Sequence, residues 1–329
     1  MRYDGGEDAS AEGRTIQMFR KTVGLASAAV LALGLGAAAA SSAQAKPTAQ
    51  SGTTATTAAC ALRLGSVTAN GAFTSRMINA TAPITVGGVR GTAGVFPANG
   101  VQHISTVVGR PLGGGEESRS GLTVMSGALY SSSFVVDSES QIDPHYPHNN
   151  LRIGGGWANY RFIEQSIHRP ADAGSPARTT LYGQQTNGVM NRWVADGTSW
   201  RSTGGVGGLS TVKSMTLINR TDTSETFIAN TRAGTLLTVT WPTKYNAVTT
   251  GKTVRSSTWQ GFEQLIATKC GTNGTLLLGI DRDTKSGYLY AVGHANGAST
   301  VIKSLGKVPL TFSDPQYFRI APQSDPLNG

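Results

Sequence analysis

The chain has 329 residues and carries 28 basic against 19 acidic side chains, a net charge of +9. The surplus favours anionic surfaces such as wall polymers, but it is diffuse, with no Lys/Arg cluster interleaved with aromatics, which argues against nucleic acid as a partner. Only two cysteines are present, too few for a zinc site, which needs about four ligands at characteristic spacing.

The N-terminal stretch reads as targeting sequence. Arg20 and Lys21 follow a second methionine, Met18, and precede an alanine-rich apolar run from Val23 to Ala40; Ala43-Gln44-Ala45 then supplies the small residues a signal peptidase needs. Residues 1–45 are therefore expected to form a signal-peptide region whose cleavage leaves Lys46 first. The polar, acidic stretch before Met18 points to Met18 as the start of translation. No later stretch approaches the roughly 20 apolar residues that span a bilayer, so the expected product is secreted, with no membrane span. Residues 46–59 are Thr/Ala/Ser-rich without periodicity and read as a disordered leader.

From residue 60 the chain is rich in Gly, Thr, Ser and Val, with short alternating apolar runs broken by glycine-containing turns and no amphipathic helix of ordinary length. That composition predicts an all-β domain. Two elements recur together five times at intervals of about 50 residues. One is a pair of apolar residues three apart: Ile104 and Val107, Tyr160 and Ile163, Val212 and Met215, Phe262 and Leu265, Tyr317 and Ile320. Trp157 and Trp259 precede two of these pairs by three residues, and Val101 stands in that place in the first. The other is a hairpin with a turn glycine, at Gly71, Gly127, Gly188, Gly234 and Gly287.

A unit of this length with three or four strands is the size of a propeller blade, and such repeats suggest a propeller or a solenoid; the order of the elements favours the closed ring, a five-bladed β-propeller. The series begins with a hairpin lacking its apolar element and ends with an apolar element, TFSDPQYFRIAP, lacking its hairpin. The two halves complete each other if the C-terminal strand pairs into the first blade, a closure that also removes exposed sheet edges. The propeller is expected over residues 60–322, with 323–329 as a C-terminal tail. Ring closure makes the first and last units neighbours, and in an oxidising compartment Cys60 and Cys270 are expected to form a disulfide.

The segments GGGWANYRFI at 154–163 and STWQGFEQLI at 257–266, each followed by a hairpin such as GTLLLGIDRDTKSGYLYAV at 274–292, resemble the tachylectin-2-like five-bladed propeller lectins. The resemblance implies a ring of sites for N-acetylated sugars, a glycan or polysaccharide partner, no cofactor and no catalysis. Trp157 with Asn159 and Trp259 with Gln260 are the candidate carbohydrate-binding residues: an aromatic face covers the apolar side of a sugar while an amide reads its polar groups. Packing of both tryptophans between blades is the competing reading. Trp193, Trp200, Trp241, Tyr130 and Tyr290 lie in or just after hairpin strands and could line inter-blade grooves, but packing between blades, which needs bulky residues there, is the stronger reading.

His145 and His148 sit among prolines in an insertion that reads as an exposed loop, and Asp281 and Asp283 read as turn residues, short of the ligands calcium needs. A secreted propeller glycoside hydrolase or lyase is the alternative from another class; it needs carboxylates facing one pocket, and Glu164 and Glu263 lie in matching apolar strands of two units. An extracellular protein-binding scaffold is the third.

Overall fold

The computed structural model describes residues 60–327 apart from 171, 173, 198 and 245–248; the signal-peptide, Met18 and leader expectations lie outside the described residues. The described chain is all-β, with one short 3-10 turn at Gly297–Ser299. In chain order the strands are β1 (Ala61–Val67), β2 (Phe73–Asn79), β3 (Thr85–Val86) and β4 (Arg90–Thr92). Then follow β5 (Val101–Ile104), β6 (Val107–Gly113), β7 (Glu116–Met125), β8 (Ala128–Val136) and β9 (Asn149–Gly154). Next come β10 (Tyr160–His168), β11 (Arg178–Gln185), β12 (Met190–Asp196) and β13 (Ser199–Val206), then β14 (Val212–Arg220), β15 (Ser224–Thr231), β16 (Leu236–Pro242) and β17 (Thr250–Arg255). The last are β18 (Gln264–Cys270), β19 (Gly274–Asp281), β20 (Ser286–Val292), β21 (Ile302–Lys307) and β22 (Gln316–Pro322).

Three four-stranded antiparallel sheets, β10–β13, β14–β17 and β18–β21, account for the middle and end of the chain. The remaining strands form one ten-stranded sheet that divides at β22. On one side β22 runs antiparallel to β1, with Gly65 opposite Phe318, and on through β2 to β3 and β4; on the other it runs parallel to β6, with Ile320 opposite Val107. The C-terminal strand thus completes the sheet of the N-terminal hairpin. We call β22 with β1–β4 the first unit, β5–β9 the second, and the three sheets the third to fifth. The leading strands approach one another in succession, β5 with β10, β10 with β14, β14 with β18, β18 with β22 and β22 with β5.

Packing explains why so many strands are apolar on both faces. Alternate side chains of a strand point to opposite sides of the sheet. In β19, Leu276, Leu278 and Ile280 enter a core shared with Leu62, Leu64 and Ile78 of the first unit, whereas Leu277 enters a core shared with Ile228 and Val254 of the fourth. The same division places Leu181 and Tyr182 of β11 in two different cores. Five such clusters lie among the described residues, one for each consecutive pair of units and one joining the fifth to the first. Cys60 and Cys270 are bonded at the edge of that last core, with Cα atoms 5.4 Å apart across 210 residues of sequence.

The turn glycines divide into two kinds. Gly188 takes φ +89° and a Cβ on it would lie 2.2 Å from the Ser210 backbone, so only glycine fits. Gly287, expected as a turn residue, is instead within β20, opposite Ile280, and Lys285 supplies the positive φ of that hairpin. Gly287 is small because the Phe312 ring lies against it: an added Cβ would stand 2.4 Å from the ring.

Candidate functional site

A repeated backbone contact fixes where each unit begins. The N–H groups of Phe96, Trp157, Leu209 and Trp259 donate to the carbonyls of Gly71, Gly127, Gly188 and Gly234, at 2.9–3.1 Å, and Val308 N–H donates to Gly287 at 2.8 Å. The tryptophan position is therefore filled by Phe96 in the second unit, not by Val101, which opens β5; Leu209 and Val308 fill it in the fourth and first. All five side chains are buried, Trp157 at 8 % exposure and Trp259 at 5 %.

The surroundings of the two tryptophans differ. Trp259 packs 4.8 Å from Tyr290 and 5.6 Å from Phe262, centroid to centroid, and Ala295 from the β20–β21 connection and Ile302 at the start of β21 pack on the same cluster. Arg255 Nη2 donates to Thr300 O at 2.7 Å and fastens that connection to β17. The corresponding β12–β13 connection is a tight turn after Asp196. A cleft of about 210 Å³ remains there, lined by Trp157, Tyr160, Trp193 and Trp200 of the third unit and by Leu129 and Ile153 of the second.

Register builds this cleft. Trp193 and Ala195 share one face of β12, and Trp200 lies directly opposite Ala195 on β13, so both indoles stand on the same side of the sheet. Trp157 lies 4.4 Å from the Tyr160 ring and 5.1 Å from that of Trp193. The Tyr160 hydroxyl accepts from Gln185 Nε2 at 3.2 Å and Asn191 Nδ2 at 3.1 Å, which fixes the ring. Trp193 and Trp200 are half-buried, and the neighbouring outer strand exposes Leu151 and Ile153. Of the two readings the sequence leaves open for these tryptophans, packing and an inter-blade groove, both take the second, and the alternation in β12 and β13 is the signal that they share a face. Trp241 does pack, 5.3 Å from Tyr182 and 4 % exposed.

Asn159 is exposed in the turn before Tyr160, and its carbonyl accepts from Thr186 N–H at 2.8 Å. Gln260 is exposed too, and its carbonyl accepts from Lys213 Nζ at 2.5 Å. His145 and His148 lie in the β8–β9 connection, His145 Nδ1 2.9 Å from Asp143 Oδ1. Asp281 Oδ1 accepts from Thr284 N–H at 2.9 Å, an ordinary turn contact.

A second concavity of about 300 Å³ lies where the leading strands meet, with residues from β5, β10, β14, β18 and β22 on its walls. Glu164 and Glu263 both line it. Glu164 is buried, and Oε1 accepts from the N–H groups of Thr106 and Gln165, each at 2.9 Å; burial raises its pKa above the ordinary value despite these bonds. Glu263 pairs with Lys213 Nζ and accepts from the Arg282 N–H at 2.8 Å. His103 Nε2 contacts the Tyr160 carbonyl at 2.7 Å, and burial, with the charge of Arg282, lowers its pKa.

Behind the chamber wall, Arg319 donates to both carboxylate oxygens of Asp325, at 2.8 and 2.5 Å, and Arg220 Nη2 lies 2.6 Å from the same group. Burial raises the Asp325 pKa, but the two arginines and the Leu327 N–H outweigh it and hold it at about 2. Leu327 is buried in the core between the third and fourth units. The segment after β22 therefore packs into the domain.

No family model matches this chain, and no curated protein does. Among solved structures it is similar to the fucose-specific lectin from Aleuria aurantia, at 12 % identity and TM-score 0.41 over 72 % of this chain and 74 % of that one. The lectin SapL1, in complex with alpha methyl fucoside, is similar at 10 % identity and TM-score 0.39 over 75 % and 96 %. The alpha-L-arabinofuranosidase PaAbf62A from Podospora anserina is similar at 13 % identity and TM-score 0.42 over 65 % and 72 %. No residue role is carried over from likenesses of this degree. Among the described residues, no helix is long and apolar enough to cross a membrane.

Proposed function

We propose that the chain is a secreted, glycan-binding five-bladed β-propeller whose sugar site is the aromatic cleft between the second and third units. Residues 1–45 are its signal-peptide region, 46–59 its leader and 60–322 the propeller. Five inter-unit cores, the last joining the fifth unit to the first, support the ring. The observation that carries the binding function is one cleft in which the half-buried indoles of Trp193 and Trp200 stand beside the buried rings of Trp157 and Tyr160. Aromatic faces of this kind cover the C–H faces of a sugar ring, and the Asn159 amide on the adjoining turn is a candidate reader of acetamido groups. The expected ligands are N-acetylated sugars of wall or surface glycans, bound loosely as single residues.

The cluster around Trp259 and Tyr290 has the same beginnings, but Ala295 and Ile302 pack on it. One cleft, rather than two, therefore carries the proposal. Hydrolysis is the weaker reading because both carboxyls of the chamber, Glu164 and Glu263, are held by backbone N–H donors or by Lys213. The test is isothermal titration calorimetry with chitin-type oligomers. Binding by the native protein that Trp200→Ala weakens about tenfold or more, with melting unchanged, supports the cleft. Equal binding by the two proteins removes it.

A further inference from the structure

We propose that the chamber between the leading strands is a second binding site, one that takes the carboxylate or sulfate of an acidic sugar. Its basic side chains are Arg161, Lys213, Arg282 and Arg319, against the carboxyls of Glu164 and Glu263. Two of the four are compensated: Lys213 by Glu263 and Arg319 by Asp325.

The other two guanidinium groups rest on neutral acceptors. Arg161 Nη2 donates to Leu209 O at 3.0 Å, while its Nε is buried with no hydrogen-bond partner among the described residues. Arg282 donates from Nη1 to Pro315 O at 2.8 Å and from Nη2 to Gln264 Oε1 at 3.1 Å. Glu263, the carboxylate whose charge acts on Arg282, is already held by Lys213 and by the Arg282 backbone N–H. Glu164 is already engaged on Oε1 by the Thr106 and Gln165 N–H groups. An oxyanion would relieve two partly desolvated guanidinium groups with charge-assisted bonds, and a planar carboxylate matches the donor fork of arginine.

The volume, about 300 Å³, is at the lower end of small-molecule sites and suits one sugar residue rather than a chain. The far side is occupied by protein, since Asp325 ties Arg319 to Arg220 and Leu327 is buried beyond them. Access is from the opposite side, where Gln102 is exposed and Arg161, Lys213, Glu263 and Gln316 are half-buried.

Calorimetry on the native protein with glucuronate, glucose 6-sulfate and glucose tests this. Glucuronate, glucose 6-sulfate or both are expected to bind with one-to-one stoichiometry, and whichever binds identifies the group taken. Glucose is expected to bind about tenfold more weakly or not at all. Arg161→Gln and Arg282→Gln should each weaken the acidic sugar by about tenfold or more, while Trp193→Ala, in the aromatic cleft, should leave it unchanged. If either glutamine variant fails to fold, Arg282→Lys decides: it keeps the charge without the fork and should still lower affinity for the acidic sugar. No binding of either acidic sugar, equal binding of glucose, or binding unaffected by the arginine substitutions overturns the proposal. Acidic-sugar binding weakened by Trp193→Ala and not by the arginine substitutions would place it in the aromatic cleft and overturn the proposal as well.

Discussion

The N–H of Trp259 donates to the carbonyl of Gly234 at 3.0 Å, so the start of the fifth unit is fastened to the hairpin turn of the fourth. The indole beyond that bond enters the core between the two units, and Asn230 Nδ2 donates to the Trp259 and Phe262 carbonyls at 2.7 Å each. Trp259→Ala is expected to cost about 3–5 kcal/mol and to lower the melting temperature sharply, as large-to-small changes in a core do. Trp200→Ala, at a half-buried position, is expected to cost about 1 kcal/mol or less. Urea denaturation of the two variants checks the contrast.

The Cys60–Cys270 bond joins the first and last units and closes 210 residues of chain. Loop-closure entropy assigns such a bond about 5 kcal/mol. Cys60→Ser with Cys270→Ser is expected to lower stability by a large part of that amount, and reductant should shift the native protein, but not the variant, to a lower melting temperature.

Glu164 titrates above its ordinary range because burial favours the neutral acid. In the window between its unfolded pKa and its higher folded pKa the native state holds the extra proton, so this group's contribution to stability falls as pH rises. Glu164→Gln retains the acceptor for Thr106 and Gln165 and removes the charge. It is expected to melt at or above the native temperature at neutral pH, with less dependence on pH above about 4. A variant that melts well below the native protein at neutral pH would overturn this assignment.

Asp325 shows the opposite sign. Its folded pKa of about 2 lies below the unfolded carboxylate value, so its stabilisation is present above about pH 4 and lost as pH falls toward 2. Asp325→Asn leaves Arg319 and Arg220 facing a neutral amide and is expected to destabilise by about 3–5 kcal/mol at pH 7, with the difference narrowing below pH 4. Thermal melts across that range check the convergence.

The all-β composition and the five recurring elements were legible because alternation and turn glycines are local signals. The Cys60–Cys270 pairing followed from the repeat order and the expected compartment. Registers were less legible. Val101 reads as the counterpart of the tryptophans because it precedes Ile104 by three residues, as Trp157 precedes Tyr160, whereas Phe96 precedes Ile104 by eight and sequence spacing does not reveal such an insertion. Gly287 reads as a turn residue because a glycine under an aromatic ring and a glycine with positive φ look alike in sequence.

The site was the least legible part. Trp157 and Trp259 stand in equivalent places, but what lies over them is set by the length of the following β-connection: a tight turn beside Trp193, and residues 293–301 beside Tyr290. The chamber was hidden more deeply still, since Arg161, Lys213 and Arg282 meet only when three separate units are brought together.

The most direct measurement of the cleft as a glycan site is calorimetric titration of chitin-type oligomers into the native protein, Trp193→Ala and Trp200→Ala, with melting curves recorded on the same samples. Binding by the native protein, lost or weakened about tenfold in both variants while Trp200→Ala melts as the native protein does, is the expected result. Oligomer binding equal in all three folded proteins, or no heat from the native protein with any N-acetylated oligomer, would contradict it.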